Sequence, residues 1–373
     1  MQNKTCQNKT LNNLPVALLL LAVFTTLAHR VEANEDMNYQ YWKFVGASAA
    51  VQALRHMHIT RPHSGDFIVL TNAGYAEVQG RTTQGALDGP GHTLGVSRGN
   101  HSLVEIHSSA TASLWFAVFH KASGICTFLE FDPNALKRMR RIGNNFHYPL
   151  FSTIEKTTVT ADAIFANPDD AISVFSGKIF NGNEFRIVTI INGILAGVPT
   201  PAIRAMEFHD HYCPGVTSGV FITEYLKKYL VAPPGSSYFV QSVQPWCKED
   251  ALLAILNTTP GKKSYHLVYS TDEDIARWKD DVQDAATIVY WKSPDADVWS
   301  GVVLGFEFGD TDCPIYGNSL LDKLCSDLYY LKKLNTPGLY VREVHRFTLP
   351  KGTNPQDYAR PGVDPMEQLG LLK

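Results

Sequence analysis

Residues 208–219 read Phe-His-Asp-His-Tyr-Cys-Pro-Gly-Val-Thr-Ser-Gly. The pair Pro214-Gly215 breaks the preceding segment and starts residues 216–230, whose apolar spacing predicts an amphipathic helix. Farther on, residues 237–243 alternate like a strand and residues 247–256 have the pattern of a short helix. Because helices and strands follow one another without strict βαβ alternation, we expect an α+β fold.

Ahead of the proline, five consecutive positions carry two imidazoles, a carboxylate and a thiol. In an extended segment, alternate side chains point the same way, so His209, His211 and Cys213 would share one face. Imidazole and thiolate together suit zinc or another divalent transition metal. Cys213 directly precedes a helix, where the dipole favours a thiolate. The alternative is a polar loop with a buried cysteine.

A second cluster, Trp-Cys-Lys-Glu-Asp-Ala, spans residues 246–251. Cys247 and Asp250 are three residues apart, so on a helix they share a face. Cys247 is a candidate metal ligand, and Asp250 a candidate proton carrier or ligand-orienting group. The turn Thr-Thr-Pro-Gly-Lys-Lys at residues 258–263 places Lys262 where it can meet an anionic substrate, although a lone lysine of this kind is more often a surface residue.

These three motifs, in this order, resemble those of the FmdE family, which takes its name from formylmethanofuran dehydrogenase. Members carry Phe-His-Gly-His-x-Cys-Pro-Gly, then Cys-x-x-Asp-Ala, then a Thr-x-Gly-Lys/Asn turn. The resemblance covers roughly residues 205–270. It implies an α+β core domain, often dimeric, with a metal usually taken as zinc. Carried over by position, it implies the metal ligands His209, His211, Cys213 and Cys247, with Asp250, Thr259 and Lys262 lining the adjacent pocket.

The chain departs from the family pattern at Asp210, which stands where the family has glycine. Its carboxylate adds a charge beside the metal site and is a candidate oxygen ligand or catalytic base, together with Asp250. The paired CxxC motifs of some relatives are absent. A role as a component of the dehydrogenase complex is therefore not expected.

The two halves of the chain share a similar order of elements, which suggests an internal duplication. We expect residues 34–180 to form a degenerate α+β unit and residues 181–348 to form the metal-binding unit. In the first half, Asp88 and the turn at residues 93–95 are candidate vestiges of the second half's motifs. Residues 349–373 are rich in proline and glycine and predict an extended tail.

The N-terminus has the layout of a secretory signal peptide, assigned here to residues 1–33. Lys4 and Lys9 precede an apolar run at residues 14–28, which is shorter than the roughly 20 residues that span a bilayer. We therefore expect an exported protein, periplasmic or extracellular, without a stable membrane span after cleavage.

Composition and cysteine count narrow the function further. The formal net charge is −3, which argues against nucleic-acid binding because such proteins need a basic surface. The charge, composition and motifs leave a small molecule as the expected ligand. Cys313 and Cys325 frame a short turn and helix, so a disulfide between them is possible in an exported protein. The sequence leaves the state of Cys126 open.

Three functions remain open from the sequence. The first is a metal-dependent enzyme acting on a small molecule in the cell envelope. The second is a protein that binds a metal or metal-bearing cofactor without turnover, and the third is a redox protein using Cys213 and Cys247 as a dithiol. The oligomeric alternatives are a monomer with pseudo-dimeric halves and a homodimer.

Overall fold

The computed structural model describes residues 37–137, 149–230 and 232–373. The predicted signal peptide lies outside these ranges, so export stays a prediction. Within the described ranges, no helix combines the length and apolar character needed to cross a membrane.

Helices account for much of the described chain and alternate irregularly with strands, as an α+β fold requires. Three of them matter most for the site, because they carry its side chains: α7, α8 and α9. Residues 37–56 form α1 and residues 134–137 form α3. The others are α2 (Asp88–Leu94), α4 (Ala161–Ala166), α5 (Pro168–Ser176), α6 (Glu184–Leu195), α7 (Thr200–His209), α8 (Pro214–Tyr229), α9 (Lys248–Leu256), α10 (Asp272–Arg277), α11 (Ser319–Leu331) and α12 (Pro365–Gln368).

The first half contains a five-stranded sheet in the order β4-β1-β5-β6-β7. β1 pairs in parallel with β4, and the remaining pairs are antiparallel. β1 is buried along its whole length, as expected for a strand covered on both faces. A short hairpin of two further strands precedes α2. The strands are β1 (Phe67–Thr71), β2 (Glu77–Val78), β3 (Arg81–Thr82), β4 (Leu103–Glu105), β5 (Trp115–His120), β6 (Ile125–Phe131) and β7 (Phe151–Thr158).

The second half repeats this topology in a sheet with the order β12-β11-β10-β8-β9. β8 and β9, the first two strands along the chain, are parallel and are separated by a helix, as β1 and β4 are in the first sheet. The other pairs are again antiparallel. The fold is therefore α+β with two similar units, as the sequence predicted. The strands are β8 (Ser237–Ser242), β9 (Tyr265–Leu267), β10 (Ala285–Lys292), β11 (Ser300–Phe306) and β12 (Val341–Thr348).

The turn before β4 in the first unit has the same hydrogen bonds as the turn before β9 in the second. In the first, the Ser102 amide donates to the Ser97 carbonyl at 3.1 Å, and the Ser97 amide donates to the Ser102 hydroxyl at 2.9 Å. In the second, Ser264 and Thr259 make the same two bonds at 3.2 and 3.0 Å. These turns fix which residues of the two units correspond.

Counting back from the matched turns places Gly85 opposite Cys247 and Asp88 opposite Asp250. Asp88 thus occupies the position of the second unit's aspartate. The turn at residues 93–95 does not correspond to Thr259, contrary to expectation. Gly95 is instead the left-handed residue that ends α2, as Asn257 is for α9.

Each sheet is covered on both faces. Apolar residues of α1 pack on one face of the first sheet, and α6 and α7 pack on the other. The cluster around α6 and α7 also includes residues of α8 and α11, so the two units share a core. Residues 159–191 are helical apart from their turns.

The tail beyond Leu349 lies against the second sheet. Leu349, Met366 and Leu371 are buried in a cluster with strands β10 and β11, while short turns connect them. Cys313 and Cys325 form a disulfide, which ties the loop after β11 to α11.

Candidate metal centre

The segment from His209 to Cys213 is a tight connection between two helices. His209 ends α7, Asp210 has a left-handed backbone with φ of 69°, and Cys213 is the N-cap of α8. The expectation of an extended segment with one common face is therefore wrong. The left-handed turn still returns Cys213 to the side of His209.

The left-handed position explains the family's glycine at this point. Glycine adopts positive φ without steric cost, and aspartate is one of the few other residues that does so as a single residue. Here the Asp210 side chain is held by Arg186, at 2.5 Å between Nη2 and Oδ2, and by His211, at 2.7 Å between Nδ1 and Oδ1. The contacts with Arg186 and His211 hold a carboxylate where the family has no side chain.

Cys247 reaches the same place from the N-cap of α9. A Cβ atom on Gly215 would lie 2.6 Å from the Cys247 Cβ and 3.1 Å from its sulfur, so only glycine permits this approach. Both cysteines thus precede helix N-termini, where the peptide dipoles favour thiolates.

His209, Cys213 and Cys247 each offer one ligand atom, and these three atoms lie within 4.8 Å of one another. The two sulfurs are therefore close enough to share one metal ion. The Nε2 atom of His209 is buried and makes no well-formed hydrogen bond in the described part of the chain. A buried imidazole nitrogen beside two sulfurs is the donor set that zinc and other borderline divalent metals prefer.

Asp250 holds the other nitrogen of this imidazole, at 2.6 Å between Oδ2 and Nδ1 of His209. A carboxylate on the far nitrogen is the usual second partner of a metal-binding histidine. Burial lowers the pKa of His209, but the hydrogen bond with Asp250 and the nearby sulfur of Cys247 outweigh it and raise the pKa to about 9 in the metal-free protein. Asp250 therefore acts on the orientation of His209.

The two cysteines differ in protonation. The hydrogen bond from the Cys213 thiol, and then the adjacent imidazole of His209, lower the pKa of Cys247 to about 4. The same hydrogen bond to Cys247, together with burial, raises the pKa of Cys213. In the metal-free protein, Cys247 is thus the thiolate and Cys213 the thiol that donates to it.

His211 lies beside the three-residue group without belonging to it. Its ring centroid is 4.3 Å from that of His209, and its Nδ1 is held by Asp210. Burial raises the pKa of Asp210, but the hydrogen bonds from His211 and Arg186 outweigh it and lower the pKa. The carboxylate of Asp210 is therefore a weak base. The sequence contained no signal for Arg186, because it lies on α6, far along the chain from this turn.

Thr259 and Lys262 lie at the other end of α9 from Cys247, about 13 Å away along a nine-residue helix. The Thr259 hydroxyl caps the short turn by accepting from the Lys262 amide, and the Lys262 ammonium is held by Asn257. The structure therefore does not bring these two residues to the three-residue group.

A buried network beneath Cys247 was not predicted. Lys248 and Glu249 form an ion pair, and Glu249 also accepts hydrogen bonds from Tyr265 and from Ser242, the latter at 2.7 Å. Both charged side chains are less than a tenth exposed. Because a buried charge is costly unless paired, this network fixes the start of α9 and with it Cys247.

Two cavities lie near the site, although none of the three residues lines either of them. A groove of about 470 Å³ is lined by His211, Phe185 and Lys323, among others. A smaller cavity of about 210 Å³ is lined by Arg186 and by residues of the first unit, including His107. The His107 ring stacks on Phe208 at 5.5 Å, so the first unit reaches the residue next to His209.

The family model described as "FmdE, Molybdenum formylmethanofuran dehydrogenase operon" matches residues 208–293. This segment is an FmdE domain. It runs from the end of α7 to β10 and contains His209, Cys213, Cys247 and Asp250. No curated protein matches the chain. The first unit lies outside the matched segment, although it has the same topology.

Proposed function

We propose that this chain is an exported metalloprotein whose FmdE domain binds one divalent transition metal, with zinc the best fit. His209, Cys213 and Cys247 are the proposed ligands. The observation that carries the proposal is the proximity of their three ligand atoms, together with the burial of Nε2 of His209. Three protein ligands are typical of catalytic zinc sites, whereas structural sites have four.

The fourth position is proposed to be open to a small molecule, which would enter through the groove lined by His211. A metal bound there would supply a Lewis acid to that position. Asp250 fixes the imidazole of His209, and the Arg186–Asp210 pair fixes that of His211. His211 is the candidate for a fourth ligand if the shell is closed.

Substitution of Co²⁺ into the purified protein tests this proposal. Thiolate ligation predicts intense near-ultraviolet charge-transfer bands that weaken in Cys213→Ser and in Cys247→Ser and are absent from the double variant. An open position predicts that added azide or imidazole changes the visible d–d bands. If azide and imidazole leave these bands unchanged and His211→Ala alters them, the result would instead support a closed shell. The protein would then bind its metal without turnover.

A dithiol redox function is the second candidate, because the two sulfurs are close and Cys247 is a thiolate. Mass analysis of alkylated peptides after purification without reductant separates the two proposals. A Cys213–Cys247 disulfide in metal-free protein would favour redox chemistry. Free thiols with bound metal would favour the metal site.

Export is supported by the predicted signal peptide and by the Cys313–Cys325 disulfide, which is typical of oxidising compartments. We further infer that the two units arose by duplication, so that a monomer supplies the two halves of a dimer. Their common topology and matched turns support this inference. Sedimentation of the purified protein tests it, since a homodimer would contradict it.

A further inference from the structure

The smaller cavity, of about 210 Å³, is formed jointly by the first unit and α6. Asn72 follows β1, while His107 and Ser108 follow β4, so these side chains lie at one edge of the first sheet. Asn183, the N-cap of α6, and Arg186, within α6, also line it. A volume of this size corresponds to about seven water molecules, which is enough for a small metabolite.

Arg186 supplies the cationic group of this cavity. Its Nε donates to the Asp210 carbonyl at 3.1 Å, its Nη1 to Asn183 Oδ1 at 2.6 Å, and its Nη2 to Asp210 Oδ2 at 2.5 Å. A guanidinium has five N–H groups, so two remain without a partner in the described part of the chain. The three bonds fix the guanidinium in place, which lowers the entropic cost of binding a carboxylate.

Glu130 supplies a carboxylate to the same cavity. It accepts a hydrogen bond from Asn181 Nδ2 at 3.2 Å and pairs with no cation among the residues described. Asn181 has a left-handed backbone, with φ of 53°, and lies on the wall of the cavity. Backbone strain of this kind concentrates at ligand-binding sites.

The two charged groups exclude most simple ligands. A plain anion would meet the carboxylate of Glu130. A plain cation would meet Arg186. A ligand that carries a carboxylate and an ammonium satisfies both groups at once.

We propose that this cavity binds a small zwitterion of the free α-amino acid class, with its carboxylate on Arg186 and its ammonium on Glu130. Ile106 and Trp115, which also line the cavity, offer an apolar surface to the ligand's side chain. The cavity contains none of the three proposed metal ligands, so this proposal goes beyond the metal site. Binding is expected in both metal-free and zinc-loaded protein.

The test is a thermal-shift screen of purified protein against the common L-α-amino acids, followed by calorimetric titration. Acetate and methylamine serve as single-charge fragments. At least one amino acid is expected to bind tenfold or more tightly than either fragment. Binding of no amino acid, or binding of acetate or methylamine as tightly as the best amino acid, would overturn the proposal.

The decisive variant is Glu130→Gln, which keeps the shape of the side chain and removes its charge. It is expected to weaken amino-acid binding at least tenfold. Glu155→Gln, on the exposed side of the neighbouring strand β7, is the matched control and should leave binding unchanged. Unchanged affinity in Glu130→Gln would contradict the assignment. Zinc content, measured in every sample, reports on the metal site independently.

Discussion

The carboxylate of Asp250 lies 2.6 Å from Nδ1 of His209, on the side of the imidazole opposite Nε2. The two residues come from different helices, α9 and α7, and their pairing leaves Nε2 for the two cysteine sulfurs. This contact links the second motif of the FmdE domain to the first.

Asp250→Asn is expected to weaken zinc binding about 10- to 100-fold, because the amide no longer fixes the imidazole and its tautomer as the carboxylate does. Competition with a chromophoric chelator measures the affinity. Asp272→Asn, in the first turn of α10, is the control and should bind as the wild type does. Equal affinities for all three proteins would show that the His209–Asp250 contact has no role in metal binding.

Asp210 allows a test of the left-handed turn. Asp210→Gly and Asp210→Ala both lose the contacts with Arg186 and His211, but only alanine also keeps a Cβ at positive φ. Asp210→Ala is therefore expected to be less stable than Asp210→Gly by about 1 kcal/mol in urea unfolding. Equal stabilities would mean that the turn relaxes when the side chain is removed.

The pKa of about 4 for Cys247 predicts unusual reactivity in the metal-free protein. Only the thiolate reacts with iodoacetamide, so alkylation of Cys247 should stay nearly constant from pH 8 to pH 5 and fall as the pH drops through 4. In Cys213→Ala the hydrogen bond from residue 213 to Cys247 is lost, so this fall should shift to higher pH. Peptide mass mapping measures the rate, and a fall near the ordinary thiol pKa would contradict the assignment.

The Cys313–Cys325 disulfide closes a short loop, with a separation of 12 residues. Removing it as the double variant Cys313→Ser/Cys325→Ser should lower the free energy of unfolding by about 3 kcal/mol, since the unfolded chain gains conformational freedom. Zinc content should be unchanged, because neither residue contributes to the metal group. Loss of zinc in a folded double variant would show that α11 supports the site.

The sequence predicted those parts of the site that depend on local spacing. The proline-initiated helix α8 and the helix carrying Cys247 and Asp250 both follow from motifs of a few residues. That the two cysteines share one site was implied by the resemblance to the FmdE family. The left-handed turn at Asp210 was missed, because the charged pattern alone also fits an extended segment.

Long-range partners were not predictable in the same way. Arg186 meets Asp210 only through the packing of α6 on α7, and its own neighbours in sequence show no functional pattern. Lys262 looked like a substrate ligand because its motif follows the others in sequence. In the structure, α9 separates its ends, and Lys262 lies at the end away from Cys247.

The most direct test of the metal centre is elemental analysis of the purified wild-type protein beside Cys213→Ser and Cys247→Ser. One equivalent of zinc in the wild type, lost in both folded variants, is the predicted result. A wild type purified without chelators that holds no transition metal, or variants that keep it in full, would contradict the assignment of the metal centre.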